Sequence, residues 1–267
     1  MNVSSALEIA QIGAYGLSSG LYLGFHLGAG GRVALWARRV FLVGFVVHLV
    51  DIGVRCFRLQ HPLSSTAEAM AFVAWLVAAG FLLATLRSRL AAAGAFAGPT
   101  VLVLLVLARV LPDASRPGTP TGPLATAHIF LSTVGEALFA LAAALAALYL
   151  IQERRLKRKD FARLRTTGAP LETLDRLAAR CVSWGFPVFS LAIITGAVLV
   201  ARLGLLQGEA VVRPEYVLAV ASWVAYGVLI VARRGAGWQG RRAAWLTVGG
   251  FGGAVLVLVA YFVRNLA

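Results

Sequence analysis

The sequence predicts an all-α fold: a polytopic transmembrane helical bundle of about eight spans, forming a single integral membrane domain over residues 1–267, with both termini extracytoplasmic. Three observations predict it. The chain is 60% hydrophobic and 13% charged, with mean hydropathy +0.82, whereas soluble domains carry about 25% charged and 45–50% apolar residues. Apolar runs near the ~20 residues that cross a bilayer recur along the chain with short breaks between them. The basic residues concentrate in alternate breaks, which is how membrane orientation is encoded. The net charge of +14 therefore reads as orientation in a plasma (inner) membrane, and nucleic acid is not an expected partner.

The start, "MNVSSALEIAQ", has no basic leader and no cleavage site, so it is not read as a signal peptide. Span one is Leu7–Leu27. Gly16, Gly20, Gly24 and Gly28 recur along it every four residues, a spacing that lets helix backbones approach closely, either inside the bundle or in a homodimer. Span two, Val40–Val54, follows a basic break holding Arg32, Arg38 and Arg39. Its end sets His48, Asp51 and Arg55 on one helix face by a 3-then-4 spacing. Span three, Ala67–Leu86, follows "LQHPLSST", in which Pro62 keeps His61 extended and Ser65-x-x-Glu68 fits a capping box. Span four, Leu90–Leu111, follows Arg87 and Arg89. Span five, Ala125–Ile151, follows "PDASRPGTPTGP" and opens with His128.

The longest break is "ERRLKRKDFARLRTTGAPLETLDRLAAR". Leu156, Phe161 and Leu164, then Leu171, Leu174 and Leu177, fall at helical spacing and predict two short interfacial helices around Gly168–Pro170. Such a basic amphipathic stretch anchors to anionic membrane lipid or docks a cytoplasmic partner. Spans six to eight are Val182–Leu203, Tyr216–Ala232 and Ala243–Val263. The breaks after spans one, three, five and seven hold 18 of the 25 Lys and Arg residues, which makes those breaks cytoplasmic. Cys56 and Cys181 then face opposite sides and form no disulfide, and no C-x-x-C-H attaches haem covalently.

Ionisable groups in a bilayer are costly and mark candidate functional sites. His26 lies at the inner end of span one, and His48, His61 and His128 lie toward the outer side. Asp51 can accept from one ring nitrogen of His48 and leave the other for a metal, or the His48–Asp51–Arg55 trio is purely structural. Haem suits this inventory. Its iron takes one or two axial histidines, drawn here from His128, His61 and His48. Arg55 and Arg58 match its propionates, and Trp75 and Phe72 supply apolar walls. Without H-E-x-x-H or a cysteine cluster, a bare zinc site is less suited. Glu136, about two turns below His128, pairs with Arg109, stays protonated, or marks a proton or ion pathway. No nucleophile–base arrangement and no phosphate-binding loop is present, so no enzyme is expected.

Two stretches carry a family resemblance. "HPLSSTAEAMAFVAW" resembles "GHFPLSNLYESLxFLxW" of the cytochrome c assembly proteins of the CcsA and HemX-like group. His61, Pro62, Leu63, Ser64, Glu68, Phe72 and Trp75 match, and Ala67 replaces an aromatic. Thr126–Lys157 resembles the family helix that opens "WLxxHV" and continues "GYALFALAAxxALxYLxxER", with His128 in the histidine's place and Glu136 where an aromatic is usual. "LETLDRLAARCVSWGFPVFSLAIITGA" and "GWQGRRAAWLTVGGFGGAVLVLVAYFVRN" resemble the remaining family helices. The likeness covers most of the chain after Val40.

The resemblance implies haem handling at the membrane in cytochrome c assembly, beside a partner membrane protein. It makes His128 an outer-side haem ligand and His61 part of a family motif. The chain departs from the assembly members in that "GLLQGEAVVRPEYV" stands where they carry a tryptophan-rich W-W-D loop, Val231 stands near a family histidine, and "VRNLA" stands where a further family histidine usually follows the last helix. The match is thus nearer the short HemX-like branch. The alternatives are a HemX-like regulator or scaffold acting through the basic loop, and an ion-coupled transporter.

Overall fold

The structure is a computed structural model, and it describes residues 3–57, 65–87, 90–110, 122–160, 169–202 and 213–266. All regular structure among these residues is helical: α1 (Val3–Leu27), α2 (Gly31–Phe57), α3 (Thr66–Arg87), a 3-10 turn (Ala91–Ala93), α4 (Gly94–Val110), α5 (Pro123–Lys157), α6 (Leu171–Arg202), α7 (Pro214–Gly235) and α8 (Arg241–Leu266). The eight α-helices correspond one for one to the eight apolar runs. Six of them, α2 to α7, are long and apolar enough to cross a membrane, which makes the chain a multi-pass membrane protein. The remaining two are the first and the last; α1 carries Glu8, Gln11, Ser18 and Ser19 within its length.

The helices run up and down. Glu8 at the start of α1, Arg55 at the end of α2, Glu68 at the start of α3 and Arg109 at the end of α4 are joined by ion pairs, so these four termini share one end of the bundle. At the opposite end, Arg155 of α5 reaches His26 of α1 at 3.0 Å, Arg233 of α7 pairs with Asp175 of α6, and Arg241 of α8 lies 4.0 Å from Glu153 of α5. These are called below the Glu8 end and the Asp175 end. The alternation read from the basic breaks is therefore the alternation of the helices.

Several boundaries differ from the apolar runs. α2 begins at Gly31, nine residues before Val40, so Arg32, Arg38 and Arg39 lie on the helix itself. Nothing in that segment breaks a helix after Gly30, whose carbonyl accepts from Val33 N–H at 2.9 Å. The exposed arginines there keep their charges in water, and Arg39 lies over the Trp36 ring at 5.1 Å. The second of the two predicted interfacial helices is also corrected. Leu156 belongs to α5, and Leu171, Leu174 and Leu177 belong to the same continuous 32-residue helix as span six. Phe161, Leu164 and Gly168 lie outside the described residues. Pro170 starts α6, its carbonyl accepting from Leu174 N–H at 3.2 Å. At 1.5 Å per residue, the 35 residues of α5 span about 52 Å, well beyond a hydrocarbon core of about 30 Å.

Helix association in lipid relies on close packing rather than on water expulsion. The α5–α6 seam achieves this by setting rings into glycines. A Cβ on Gly185 would meet the Phe139 ring at 2.9 Å, one on Gly135 would meet Phe189 at 3.2 Å, and one on Gly196 would meet the His128 ring at 2.8 Å. Phe139 is fully buried and stacks on Tyr226 of α7, centroids 3.7 Å apart. At the Asp175 end, Asp175 takes both guanidinium N–H groups of Arg233, at 2.8 and 3.2 Å, and the N–H of Gly240 at 3.2 Å. One carboxylate thereby ties α6 to the α7–α8 turn.

Candidate functional site

The sequence-predicted residues fall into two separate groups. The first is built on α1, α2, α3 and α4 at the Glu8 end. His48, Asp51 and Arg55 do share the α2 face, and all three are buried. Asp51, however, is not the hydrogen-bond partner of His48. Its Oδ2 accepts from Arg55 Nε at 3.1 Å and from Gln11 Nε2 at 3.4 Å. Among the described residues neither ring nitrogen of His48 has a hydrogen-bond partner, and the ring is 1% exposed, edge-on to Tyr15 at 6.1 Å.

Arg55 is committed to three carboxylates: Asp51, Glu68 at 2.5 Å, and Glu8. Glu8 also pairs with Arg109 at 3.1 Å. The expected pairing of Glu136 with Arg109 is therefore corrected; Glu136 is half-buried in α5 with no ion-pair partner among the described residues. The capping box on α3 forms by half. Ser65 Oγ accepts from Glu68 N–H at 3.2 Å, but the Glu68 carboxylate goes to Arg55 instead of turning back to Ser65. A guanidinium offers a stronger, charge-assisted partner than a backbone N–H. Trp75 stacks between Phe45 of α2 and Phe72, at 5.2 and 6.0 Å, both nearly parallel. His61 and Arg58 lie outside the described residues.

The second group is built on α5 and α6. His128 Nδ1 lies 2.9 Å from the Ala192 carbonyl oxygen and 3.4 Å from Thr195 Oγ1. A carbonyl can only accept, so Nδ1 carries the proton and Nε2 carries the lone pair. The ring is half-buried in the notch left by Gly196. Its Nε2 makes no hydrogen bond among the described residues. A carbonyl that holds one ring nitrogen in this way fixes the ring's orientation and leaves the other nitrogen able to accept.

The two groups were expected to converge around one porphyrin; among the described residues they pack against different helices. His128 packs on α6, whereas the contacts of His48, Arg55 and Trp75 are with α1, α2 and α3. His48 is sealed by neighbouring side chains, and each of the three guanidinium nitrogens of Arg55 already donates to a carboxylate. Among the described residues no group of three or more His, Cys, Asp or Glu could hold a metal ion. An apolar cavity of about 50 Å³ lined by Gly80, Leu90, Leu141, Leu177 and Cys181 lies elsewhere in the bundle and is too small for a tetrapyrrole.

Sequence reasoning missed Glu8, Gln11 and Tyr15. Their 3-then-4 spacing on α1 repeats that of His48, Asp51 and Arg55 on α2, and that repetition was the available signal.

Comparison with known proteins places these features. The profile described as "Cytochrome C assembly protein" matches residues 63–267. The chain is similar to the "Cytochrome c biogenesis protein CcsA" of Guillardia theta, 24% identical over 257 residues, covering 85% of this chain and 84% of that one. The protein of the same description from Microcystis aeruginosa is 25% identical over 255 residues, covering 77% and 76%. "Inner membrane protein YpjD" of Escherichia coli is 28% identical over 165 residues, covering 60% and 58%. No solved structure matches.

Proposed function

The chain belongs to the cytochrome c assembly protein family, and on that premise we propose that it works in cytochrome c assembly by holding haem non-covalently at the Glu8 end of the bundle. In this reading that end is the extracytoplasmic side of an inner membrane, as the excess of arginine and lysine at the other end implies. Haem is the cargo, and what it requires of the protein is an axial nitrogen with a free lone pair. The observation that carries the reading is the His128 Nδ1 to Ala192 hydrogen bond at 2.9 Å, which fixes the tautomer that leaves Nε2 open. His61, on the connection between α2 and α3 at the same end, is the proposed second ligand, since His48 is enclosed. Arg58 is the proposed propionate partner in place of Arg55. The protein is read as a carrier that binds and presents, beside a partner membrane protein, and not as a catalyst. The basic residues around Arg154–Lys159 are read as its contact with anionic lipid.

The test is an absorption spectrum of the purified protein, as isolated and after adding haemin. Wild type should give a Soret band. His128→Ala should lose or shift it, with partial recovery on adding imidazole, while His48→Ala should keep it. A wild type that takes up no haemin refutes the reading. Glu136, in α5 with no ion-pair partner among the described residues, favours ion-coupled transport as the second reading. There Glu136→Gln stops flux in proteoliposomes, and the His128 variants leave it unchanged.

A further inference from the structure

The α1–α2 seam at the Glu8 end contains more polar atoms than its own hydrogen bonds can satisfy. Five buried atoms there lack a partner among the described residues: Gln11 Oε1, Tyr15 Oη, both ring nitrogens of His48 and Asp51 Oδ1; Trp75 Nε1 of α3 and Arg109 Nε of α4, on the helices beside it, lack one as well. They are not surface groups. Gln11 and Tyr15 are 0% exposed, His48 1% and Asp51 2%. In folded proteins more than about 90% of buried polar groups find a partner, so a concentration of this kind in one seam needs an explanation.

The chemistry of the atoms selects the ligand. Gln11 Oε1 and Asp51 Oδ1 only accept, and Trp75 Nε1 and Arg109 Nε only donate. Neutral His48 needs one of each, and a tyrosine hydroxyl can do both. A metal cation would meet Arg55 and Arg109. An anion would meet Glu8, Asp51 and Glu68. The molecule that donates and accepts together, carries no charge and fits between packed helices is water, which typically makes about three hydrogen bonds when buried.

The arrangement also has a direction. Glu8, Gln11 and Tyr15 descend one face of α1, and Arg55, Asp51 and His48 descend the facing side of α2, each over seven residues or about 10 Å. At the top, the side chains of Glu8 and Arg109 are 21% and 26% exposed. At the bottom, the seam is closed by aromatic rings. Phe41 is 0% exposed and contacts Tyr15 at 5.1 Å, Tyr22 at 6.3 Å and Phe81 at 5.0 Å, all edge-on.

We propose that this seam is a blind aqueous inlet: internal water enters between Glu8 and Arg109, lines the α1–α2 interface and stops at His48 and Tyr15 against the Phe41 layer. The inlet is independent of haem binding at His128 and survives if that reading fails. Two measurements on the full-length protein in proteoliposomes test it. In water-edited solid-state NMR of isotope-labelled wild type, the His48 ring should receive magnetisation from water several-fold faster than the Phe41 ring. In a Cys56→Ser, Cys181→Ser background, His48→Cys should react with silver ion at least tenfold faster from the Glu8 end than from the other, and Phe41→Cys should be inert from both. Because the first measurement needs no substitution, it stands even if a variant misfolds. A His48 ring polarised no faster than Phe41 overturns the inlet, and so does reaction of His48→Cys from the Asp175 end.

Discussion

Replacing Arg55 by methionine isolates what this side chain does. The guanidinium is 11% exposed and bonds Glu8, Asp51 and Glu68. After Arg55→Met, Glu8 keeps Arg109 at 3.1 Å, so two carboxylates, Asp51 and Glu68, lose their cation. Asp51 is 3% exposed and retains only the long 3.4 Å contact with Gln11. Glu68, at 18%, is closer to solvent and suffers less. Removing one partner of a buried pair costs about 3–5 kcal/mol, and the partial exposure of Glu68 argues for about 3 kcal/mol. At about 2–4 °C per kcal/mol for a chain of this size, Tm should fall by roughly 6–12 °C. The assay is thermal denaturation in detergent followed by size-exclusion chromatography. The matched control is Arg55→Met combined with Asp51→Asn and Glu68→Gln, which removes the stranded charges and should recover at least half of the loss. A fall below about 2 °C, or a triple variant less stable than the single one, refutes the account of Arg55 as a shared counter-ion.

Gly196→Ala should push the His128 ring off Ala192, because the added Cβ meets the ring at 2.8 Å. If the chain binds haem as proposed, its affinity should then drop by roughly 10–100-fold, the usual effect of losing the hydrogen bond that orients a metal ligand, read by haemin titration. Asp175→Asn leaves Arg233 buried without its bidentate acceptor and should cost about 1.5–3 kcal/mol, measured as a lower Tm. Gly185→Ala overpacks Phe139 at 2.9 Å and should destabilise by about 1–3 kcal/mol in the same assay. Ser65→Ala removes the 3.2 Å cap on α3 and should cost about 1 kcal/mol, leaving the haem spectrum unchanged.

The fold was largely legible because a bilayer imposes its own length scale and charge rule on the sequence. Each apolar run became a helix, and alternate basic breaks gave the up-and-down order. Helix ends were less legible, since hydropathy reports where lipid begins and not where backbone hydrogen bonding stops. α2 continues through Arg38 and Arg39, and α6 continues through Leu171 to Leu177, because neither stretch contains a breaker. The pairings of the candidate residues were not legible. His128 was identified, yet its partners Ala192 and Thr195 are some 64 and 67 residues away, and a backbone carbonyl leaves no mark in a sequence. Asp51 was offered to His48 as one of two readings because the two lie one turn apart; Arg55, also one turn away, wins as the charged donor.

Arg55 also constrains how the protein is made. α1, carrying Glu8, emerges from the ribosome before its counter-charges, which arrive only with Arg55 and, later still, Arg109. Until α2 docks, Glu8 lacks the Arg55 guanidinium, and until α3 docks, Arg55 lacks its third carboxylate. Co-translational insertion should therefore stall the first helix beside the translocon until its successors join it. Nascent chains truncated before residue 55 should be extracted by alkaline carbonate, while those extended past Glu68 should resist it.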